Sequence, residues 1–523
     1  MLLDFLNQKQ KVETAMLLKR MLIGVLSISI AAPTVFAQSA PASNQKKPNV
    51  VFILADNVGY GDLGSYGGGE LRGAPTPRSD ELAKSGLRLT QYLVEPACTP
   101  SRAALMTGQY SIRNGLSLVA EPGTPNTLSS KAHTMGQLFK GAGYATAIFG
   151  KWHLGGAPQS LPGAHGFDQY YGIPPDTSWD SAAYVQMGIQ THSFGNVPDK
   201  VLYEKGPWIN QQKGNGPLER VKPYTMAVRA EIDNELTDKS IAFMKEQNAA
   251  GKPFFLYLPF SMGHSPNLPS KQFAGKSRIG QYGDKMMEGD HHVGQVMDAL
   301  KEMNIEDNTI LVFASDNGGT GQYFMNWDRL GLGAPDMGSN GPFRGDLGEP
   351  TEGAVRTFCI IRWPGHIAPG STSYAMFSIM DFMPTFASIL GVKLPTDRAI
   401  DGVNQIDVIK GKSATGNRES LLTFIGPDLV AGRWKQWRYY FKDMARTGTG
   451  QQMVGGIYAN AAPMYYPKFY NIEMDPHEDL QMTNYGWTAE PIFKVIQEYL
   501  ASVKKYPNPP PSNVTNFSQP LGR

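Results

Sequence analysis

Val50-Val-Phe-Ile-Leu-Ala55, an unbroken apolar run that stops at Asp56-Asn57, is the stretch that decides the fold class. An apolar run without polar alternation predicts a strand that is buried on both faces, as in a parallel sheet. Because the run ends abruptly at polar residues, we expect a functional edge where the strand stops. The same pattern recurs in three further runs: Thr309–Ala314, Ala145–Phe149 and Phe254–Leu258.

Segments with helical spacing separate these runs along the chain. Alternating strands and helices predict an α/β fold, in which ligands collect beyond the carboxyl ends of the strands. Polar residues follow each run at that edge, so the sequence predicts one site built from several strand ends. The predicted helices span Asp80–Lys84, Met135–Lys140, Met226–Gln247 and Met286–Met303.

The composition is that of a globular protein with more than one domain, or with one large and one small domain. Of the 523 residues, 41% are hydrophobic and 18% are charged, which leaves ample material for a core. The formal net charge of +2 gives no electrostatic reason to expect a nucleic-acid partner.

Residues 1–37 have the pattern of a secretory signal peptide. Lys19 and Arg20 supply positive charge, Met21–Ala32 is a short apolar run, and Val35–Ala37 offers a cleavage site. The apolar run is short for a membrane span, so we predict export to the bacterial periplasm with no membrane span after cleavage. An uncleaved membrane anchor is the alternative.

The start of translation stays open, because Met16 and Met21 each offer a start that would shorten the leader. Residues 38–47 follow the predicted cleavage site. They are polar and contain Pro and Ser, which predicts a linker.

The chain has two cysteines, Cys98 and Cys359. In Cys98-Thr-Pro-Ser-Arg-Ala-Ala-Leu-Met-Thr-Gly108, Pro100 suits the first helical position and Gly108 suits a helix stop. The Cys98 side chain is therefore expected at the positive end of a helix, where anions are favoured. Cys359 lies in an apolar run and is expected to be buried as a free thiol, without a disulfide.

The run from Cys98 to Arg102 resembles the C-x-P-x-R signature of type I sulfatases, and the resemblance extends over most of the chain. It implies a large, mixed, mostly parallel sheet sandwiched by helices, the alkaline-phosphatase-like fold, over residues 48–400. A small C-terminal antiparallel-sheet domain over 401–505 and a tail over 506–523 are expected to follow. The implied enzyme is a sulfuric ester hydrolase.

The small domain is expected to contain strands at Ser420–Ile425, Trp437–Lys442 and Lys468–Met474. A helix over Pro491–Val503 is expected to accompany them.

The resemblance also implies catalytic roles. A maturase would oxidise Cys98 to formylglycine, whose hydrated aldehyde is the nucleophile. Arg102 would hold that group, Lys151 and His153 would contact it, and His153 is a candidate base. His264 would lie near the leaving-group oxygen, and Lys151 and His264 would also bind substrate. Taken singly, each of these residues has an ordinary structural explanation, such as a hydrogen-bonded histidine.

The family's divalent cation would be held here by Asp56, Asn57, Asp316 and Asn317. Calcium is the expected ion and magnesium the alternative, because the ligand set is all oxygen. Asn57 departs from the family pattern, in which an aspartate is usual at this position. The site loses one negative charge, which predicts weaker cation binding. Without the resemblance, Asp316-Asn317 before glycine would be interpreted as a turn.

A second departure concerns the family motif that spans Arg344 to Glu352, where the usual lysine position falls on Leu347. That lysine normally touches the sulfate and the ester oxygen, so its loss removes a cation beside the leaving group. Lys285 or Arg344 are candidate replacements, and Arg344 is predicted to bind substrate. Otherwise the enzyme acts on leaving groups that need little help, which favours aryl sulfates.

Two long segments rich in glycine and aromatic residues, Asp168–Pro223 and Gly318–Gly341, are expected to rim the pocket. In the second, Tyr323, Phe324 and Trp327 are candidates to stack on an aryl group or to anchor the loop. Two other functions remain open from the sequence. One is a phosphonate monoester or phosphodiester hydrolase, and the other is a non-catalytic binder of sulfated ligands.

Overall fold

The computed structural model describes residues 47–120, 126–179, 206–320, 338–444, 461–484 and 486–510. The predicted signal peptide, nearly all of the linker, the end of the tail and the middle of both rim segments lie outside these residues. The chain divides between Lys46 and Lys47, and the residues from Lys47 onward form one unit. The boundary predicted at residue 400 stays a prediction. Within the described residues, no helix combines the length and apolarity needed to cross a membrane.

The centre of the molecule is an eleven-stranded mixed sheet. Its strands are β1 (Asn49–Ala55), β2 (Leu87–Leu93), β3 (Ala145–Phe149), β4 (Gln169–Gly172), β5 (Trp208–Lys213), β6 (Glu219–Pro223), β7 (Phe254–Pro259), β8 (Thr309–Ser315), β9 (Arg356–Arg362), β10 (Ser371–Ser373) and β11 (Phe377–Ser378). The order is β10-β2-β9-β8-β1-β7-β3-β4-β5-β6, with β11 paired to β2. The four strands predicted from apolar runs, β1, β3, β7 and β8, lie together and run parallel.

The register of these parallel strands explains how the site is assembled. Ala55, the last residue of β1, pairs with Ser315, the last residue of β8. The polar residues that follow, Asp56 and Asp316, therefore leave the sheet side by side. Strand β7 pairs with the other side of β1, which brings the segment after Pro259 to the same edge.

The sheet is covered on both faces, which explains why its central strands lack polar alternation. Val50, Phe52 and Leu54 of β1 belong to one apolar cluster, and Val51 and Ile53 belong to another on the opposite face. The predicted fold class is confirmed. The helices are α1 (Pro77–Ser85), α2 (Cys98–Thr107), α3 (Met135–Gly141), α4 (Met226–Ala249), α5 (Gly280–Glu302), α6 (Glu352–Val355), α7 (Phe382–Leu390), α8 (Ile406–Ile409) and α9 (Ala489–Lys505).

Helix α5 begins at Gly280, well before the predicted start at Met286. Its first turns are polar in sequence, yet Tyr282 and Lys285 are buried because each pairs with an acidic residue that is distant in the sequence. The Tyr282 hydroxyl donates to Asp62 at 2.7 Å, and the Lys285 ammonium lies 3.1 Å from Asp233. Hydrophobic spacing does not register burial of this kind.

A separate antiparallel sheet of four strands follows. Its C-terminal strand ends at Asn471, three residues before the predicted end, because the Asn471 side chain accepts hydrogen bonds from the backbone of Glu473 and Met474. The second strand was not predicted, since Gly432 and the buried Arg433 interrupt its apolar pattern. The strands are β12 (Ser420–Ile425), β13 (Asp428–Trp434), β14 (Trp437–Met444) and β15 (Ala461–Asn471).

Candidate active site

Helix α2 begins at Cys98, two residues before the predicted start at Pro100. The helix starts there because the backbone N–H of Ser101 already donates to Ala97 O at 3.0 Å. The Sγ atom lies 3.4 Å from Oδ1 of Asp56 and 3.6 Å from Oδ1 of Asn57. Burial, and then the Asp56 carboxylate, raise the pKa of the Cys98 thiol well above its usual value. Within the described residues both cysteines are free and buried.

Asp56, Asn57, Asp316 and Asn317 meet where β1 and β8 end. The backbone N–H of Asn57 donates to Oδ1 of Asp316 at 3.2 Å, and Asn317 Nδ2 donates to Oδ1 of Asn57 at 2.8 Å. Asn57 has φ +61°, a left-handed conformation that asparagine tolerates better than most residues. This conformation turns the chain out of β1, so the side chains of Asp56 and Asn57 both stay at the edge of the sheet.

Two buried cations neutralise two buried carboxylates beneath Cys98. Arg102 Nη2 lies 2.9 Å from Asp56 and 2.8 Å from Asp316, and Lys151 Nζ lies 2.8 Å from Asp56. All four side chains are fully buried. Burial alone would raise the pKa of Asp56, but Lys151 and Arg102 together bring it well below its usual value. Burial and the Asp56 charge raise the pKa of Asp316.

Lys151 and His153 reach the site from the turn after β3. A Cβ atom at Gly150 would lie 2.0 Å from Pro259 O, so only glycine lets this turn pass against β7. His153 Nε2 lies 2.9 Å from the carbonyl oxygen of Ala120 and therefore carries the proton, whereas Nδ1 is buried without a partner. Burial, reinforced by Lys151, lowers the pKa of His153 well below its usual value. The imidazole is thus neutral with an unshared electron pair.

His264 is joined to Lys151 through a serine that the sequence did not single out. Nδ1 of His264 lies 2.7 Å from Ser265 O, so it holds the proton and Nε2 accepts. Ser178 Oγ lies 2.8 Å from that Nε2 and accepts from Lys151 Nζ at 3.0 Å. Burial lowers the pKa of His264 to about 3. Ser178 lies within the predicted rim Asp168–Pro223, which is the signal that pointed towards it.

The ligand set at the end of β1 and β8 fits a hard cation. Asp56, Asn57, Asp316 and Asn317 lie together at this edge of the sheet, and they carry carboxylate and amide oxygens, the donors that calcium and magnesium prefer. Oδ1 of Asn317 is buried and has no hydrogen-bond partner, so its lone pairs are available to a cation. Oxygen, sulfur and nitrogen atoms of Asp56, Cys98 and His264 also lie within 4.8 Å of one another.

The two candidate replacements for the family lysine have other ionic partners. Arg344 lies 3.2 Å from Glu478 and its guanidinium sits over the Tyr470 ring, towards the small sheet. Lys285 is buried against Asp233 and against Glu288, at 3.1 and 3.2 Å.

Leu347 itself is buried and packs against Ala97, the residue before Cys98. Its backbone N–H donates to Gly319 O at 3.1 Å. The Gly318–Gly341 segment therefore starts beside the site, while Tyr323, Phe324 and Trp327 lie outside the described residues.

Comparisons with known proteins show the family of this chain. The sulfatase family model matches residues 48–392. The chain belongs to the sulfatase family.

Several relatives of this sulfatase cover most of the chain. Mus musculus steryl-sulfatase is 31% identical over 528 residues, covering 88% of this chain and 83% of the relative. Rattus norvegicus N-acetylgalactosamine-6-sulfatase is 35% identical over 400 residues, covering 75% and 70%. The crystal structure of the PsFucS1 sulfatase from Pseudoalteromonas sp. superimposes with a TM-score of 0.78 at 31% identity, covering 88% and 92%. The predicted enzyme class, a sulfuric ester hydrolase, is confirmed.

Proposed function

We propose that this sulfatase hydrolyses aryl sulfate esters with a formylglycine derived from Cys98 and one divalent cation, calcium or alternatively magnesium. The cation would be held by Asp56, Asn57, Asp316 and Asn317. The protein would be exported to the periplasm, and a formylglycine-generating maturase would act on Cys98. The single observation that carries the aryl preference is the apolar Leu347 packed beside Ala97.

When both are present, the cation neutralises sulfate charge and the hydrated aldehyde supplies the attacking oxygen. The protein's own residues keep these groups in place. Arg102 grips one oxygen of Asp56 and one of Asp316, which leaves Oδ1 of Asp56 directed at the Cys98 side chain. A guanidinium that is paired with two carboxylates has a fixed position, so Arg102, Asp56 and Asp316 are preorganised for catalysis.

His153 is the proposed base. Its Nδ1 atom is buried and unpaired, while the Ala120 carbonyl oxygen fixes the other nitrogen as the donor. Thr99, the neighbour of Cys98, donates its hydroxyl to His153 O at 3.0 Å and so ties the histidine to the start of α2. A neutral imidazole fixed in one tautomer has the electron pair that a base needs.

His264 and Lys151 are the proposed contacts to the leaving group. Because Lys151 Nζ donates to Ser178, and Ser178 donates to Nε2 of His264, these two residues hold the Lys151 ammonium in position to donate a proton to the leaving oxygen. A basic alkoxide needs that proton, whereas a phenoxide leaves with little help. With an apolar Leu347 in place of a further cation, the aryl sulfate, which releases a phenoxide, is the better substrate.

A panel of esters tests this proposal. We expect nitrophenyl and phenyl sulfates to be cleaved with kcat/KM at least about 100-fold above alkyl and carbohydrate sulfates, as for the loss of one donor to the leaving oxygen. The carbohydrate and steryl esters named for the relatives belong in the panel. Preferred turnover of a carbohydrate sulfate would overturn the aryl preference, and preferred turnover of a phosphonate monoester would favour the other hydrolase. Cys98→Ser, assayed both for ester turnover and for binding of a sulfated ligand, distinguishes an enzyme from a binder. An enzyme loses its turnover, whereas the function of a binder is unchanged.

A further inference from the structure

Arg229 of α4 grips the backbone of the segment that carries His264. The side chain is fully buried, and Nη2 donates to His264 O at 2.8 Å. Its other terminal nitrogen donates to the Ser261 hydroxyl. Both hydrogen-bond partners are neutral, and the charge of Arg229 also helps to lower the pKa of Asp233, after Lys285. Both terminal nitrogens of the buried guanidinium are hydrogen-bonded while Nε has no partner, so losing either terminal contact is expected to be costly.

The same guanidinium also contacts the loop that carries Ser178. Its Cζ atom lies 5.7 Å from the centre of the Trp179 ring, and Trp179 is the residue after Ser178. The Tyr224 hydroxyl, close to the start of α4, donates to Trp179 O at 2.8 Å. One arginine thus contacts both loops, one through a carbonyl oxygen and the other through an indole ring.

Asp233, one helical turn after Arg229, locks the Ser261 end of the same segment. Its carboxylate accepts from Ser261 N at 2.9 Å and from Ser261 Oγ at 2.7 Å. Lys285 of α5 lies 3.1 Å from Asp233, which anchors that carboxylate in turn. The Ser261 end of the segment is therefore held to α4, and the Asp233–Lys285 ion pair joins α4 to α5.

We propose that Arg229 is a positioning residue that keeps Ser178 and His264 in hydrogen-bond contact, so that Lys151 stays aligned to donate a proton to the leaving oxygen. This inference rests on the proposed role of His264. The Ser178–His264 distance of 2.8 Å joins two loops that are far apart in sequence, and Arg229 touches both. Lysine at this position keeps the charge but loses the planar fork, so it cannot hold the carbonyl and the hydroxyl together.

The test compares two aryl sulfates that differ only in leaving group, nitrophenyl and methoxyphenyl sulfate. Proton delivery matters more for methoxyphenyl, the more basic leaving group. We expect Arg229→Lys to lower kcat for methoxyphenyl sulfate about 10- to 100-fold and for nitrophenyl sulfate less than about 3-fold, because small misplacements cost up to about 100-fold. Equal loss for both substrates would overturn the proposal.

Arg418→Lys is the matched control. Arg418 is also a buried arginine, but it pairs with Asp381. We expect its replacement to change stability and leave the ratio of the two rates unchanged. Should Arg229→Lys fail to fold, Trp179→Leu removes the ring contact and keeps an apolar side chain in this buried position, and it is expected to change the ratio in the same direction. An unchanged ratio in Trp179→Leu would then contradict the proposal.

A double-mutant comparison separates this inference from the proposed function. If Arg229 acts through His264, then Arg229→Lys has no further effect on the ratio in a His264→Ala background. A ratio that His264→Ala leaves unchanged would remove the proposed role of His264, and the positioning role with it. A ratio changed by His264→Ala but not by Arg229→Lys would remove the positioning role alone.

Discussion

Asn317 donates a side-chain hydrogen bond of 2.8 Å to Oδ1 of Asn57. The contact joins the ends of β1 and β8, and it leaves Oδ1 of Asn317 and Nδ2 of Asn57 buried without partners. An unsatisfied buried polar atom costs about 1–3 kcal/mol. The pair therefore favours a ligand that binds the lone pairs of the Asn317 oxygen, and a divalent cation is such a ligand.

The first prediction concerns the strength of that cation site. Arg102 and Lys151 already balance Asp56 and Asp316, so a cation adds uncompensated positive charge. We expect Asn57→Asp to tighten calcium binding about tenfold or more, since affinity rises with the number of charged ligands. Isothermal titration of calcium into the purified protein measures this directly.

The matched control for this change lies at the opposite end of the same strand. Asn49 is a buried asparagine at the start of β1, and Asn49→Asp is expected to leave calcium affinity unchanged. Equal calcium affinity in Asn57→Asp and the unchanged protein would contradict the assigned ligand set.

The second prediction concerns Leu347. We expect Leu347→Lys to raise kcat/KM for alkyl sulfates about 10- to 100-fold relative to nitrophenyl sulfate, because a cation beside the leaving oxygen stabilises a basic alkoxide most. Leu347→Met preserves the packing against Ala97 and should leave this ratio alone. The comparison of kcat/KM for both ester classes decides the matter, and an equal fall on both would speak against a place beside the leaving group.

The third prediction concerns His153. We expect His153→Ala to lower steady-state turnover about 100-fold or more, because a positioned base contributes about that much. If the base serves the release of sulfate, stopped-flow measurement will show one rapid turnover of phenol followed by a slow phase. His366→Ala, at a half-buried histidine stacked on Trp363, serves as the control with normal kinetics. Loss of the rapid phase together with the slow one would place His153 in the first step instead.

The fourth prediction is a pH dependence of stability at Glu95. Burial raises the pKa of this carboxyl from 4.5 to about 8, and its Oε2 atom has no partner. The folded state therefore binds a proton that the unfolded state releases. This contribution is fully present below the unfolded pKa near 4.5 and is lost as pH rises through about 8.

Glu95→Gln mimics the protonated form and should remove this loss, gaining about 1–3 kcal/mol over the unchanged protein at alkaline pH. Denaturant unfolding across the pH range measures the difference. Glu81→Gln, at an exposed glutamate of α1, is expected to follow the unchanged protein. Parallel curves for Glu95→Gln and the unchanged protein would show that Glu95 is already ionised in the fold.

The ends of the central strands were predictable because a strand that is buried on both faces has an unbroken apolar sequence. The ends of two such runs place Asp56 and Asp316 together once the parallel pairing is assumed. Ser178 lies in a loop without periodicity, so only the fold shows that it meets His264. The same holds for Arg229, whose partners lie on other segments of the chain.

Ion pairs between residues far apart in the chain are the other feature that the sequence did not predict. Arg344 stays a predicted substrate contact, and its ion pair with Glu478, more than a hundred residues away, could not be predicted from the sequence. Arg433 likewise is buried in β13 because Glu352 lies 3.1 Å from it. Patterns of hydrophobicity carry no information about such partners.

Peptide mass spectrometry around Cys98 tests the central claim most directly. The protein should be produced with its leader in a bacterial host that has a competent maturase, and the peptide containing Cys98 to Arg102 then analysed. The account predicts a mass loss that matches conversion of the thiol to an aldehyde, with the Cys359 peptide unchanged as the internal control. An unmodified Cys98 in that host would contradict the proposed nucleophile.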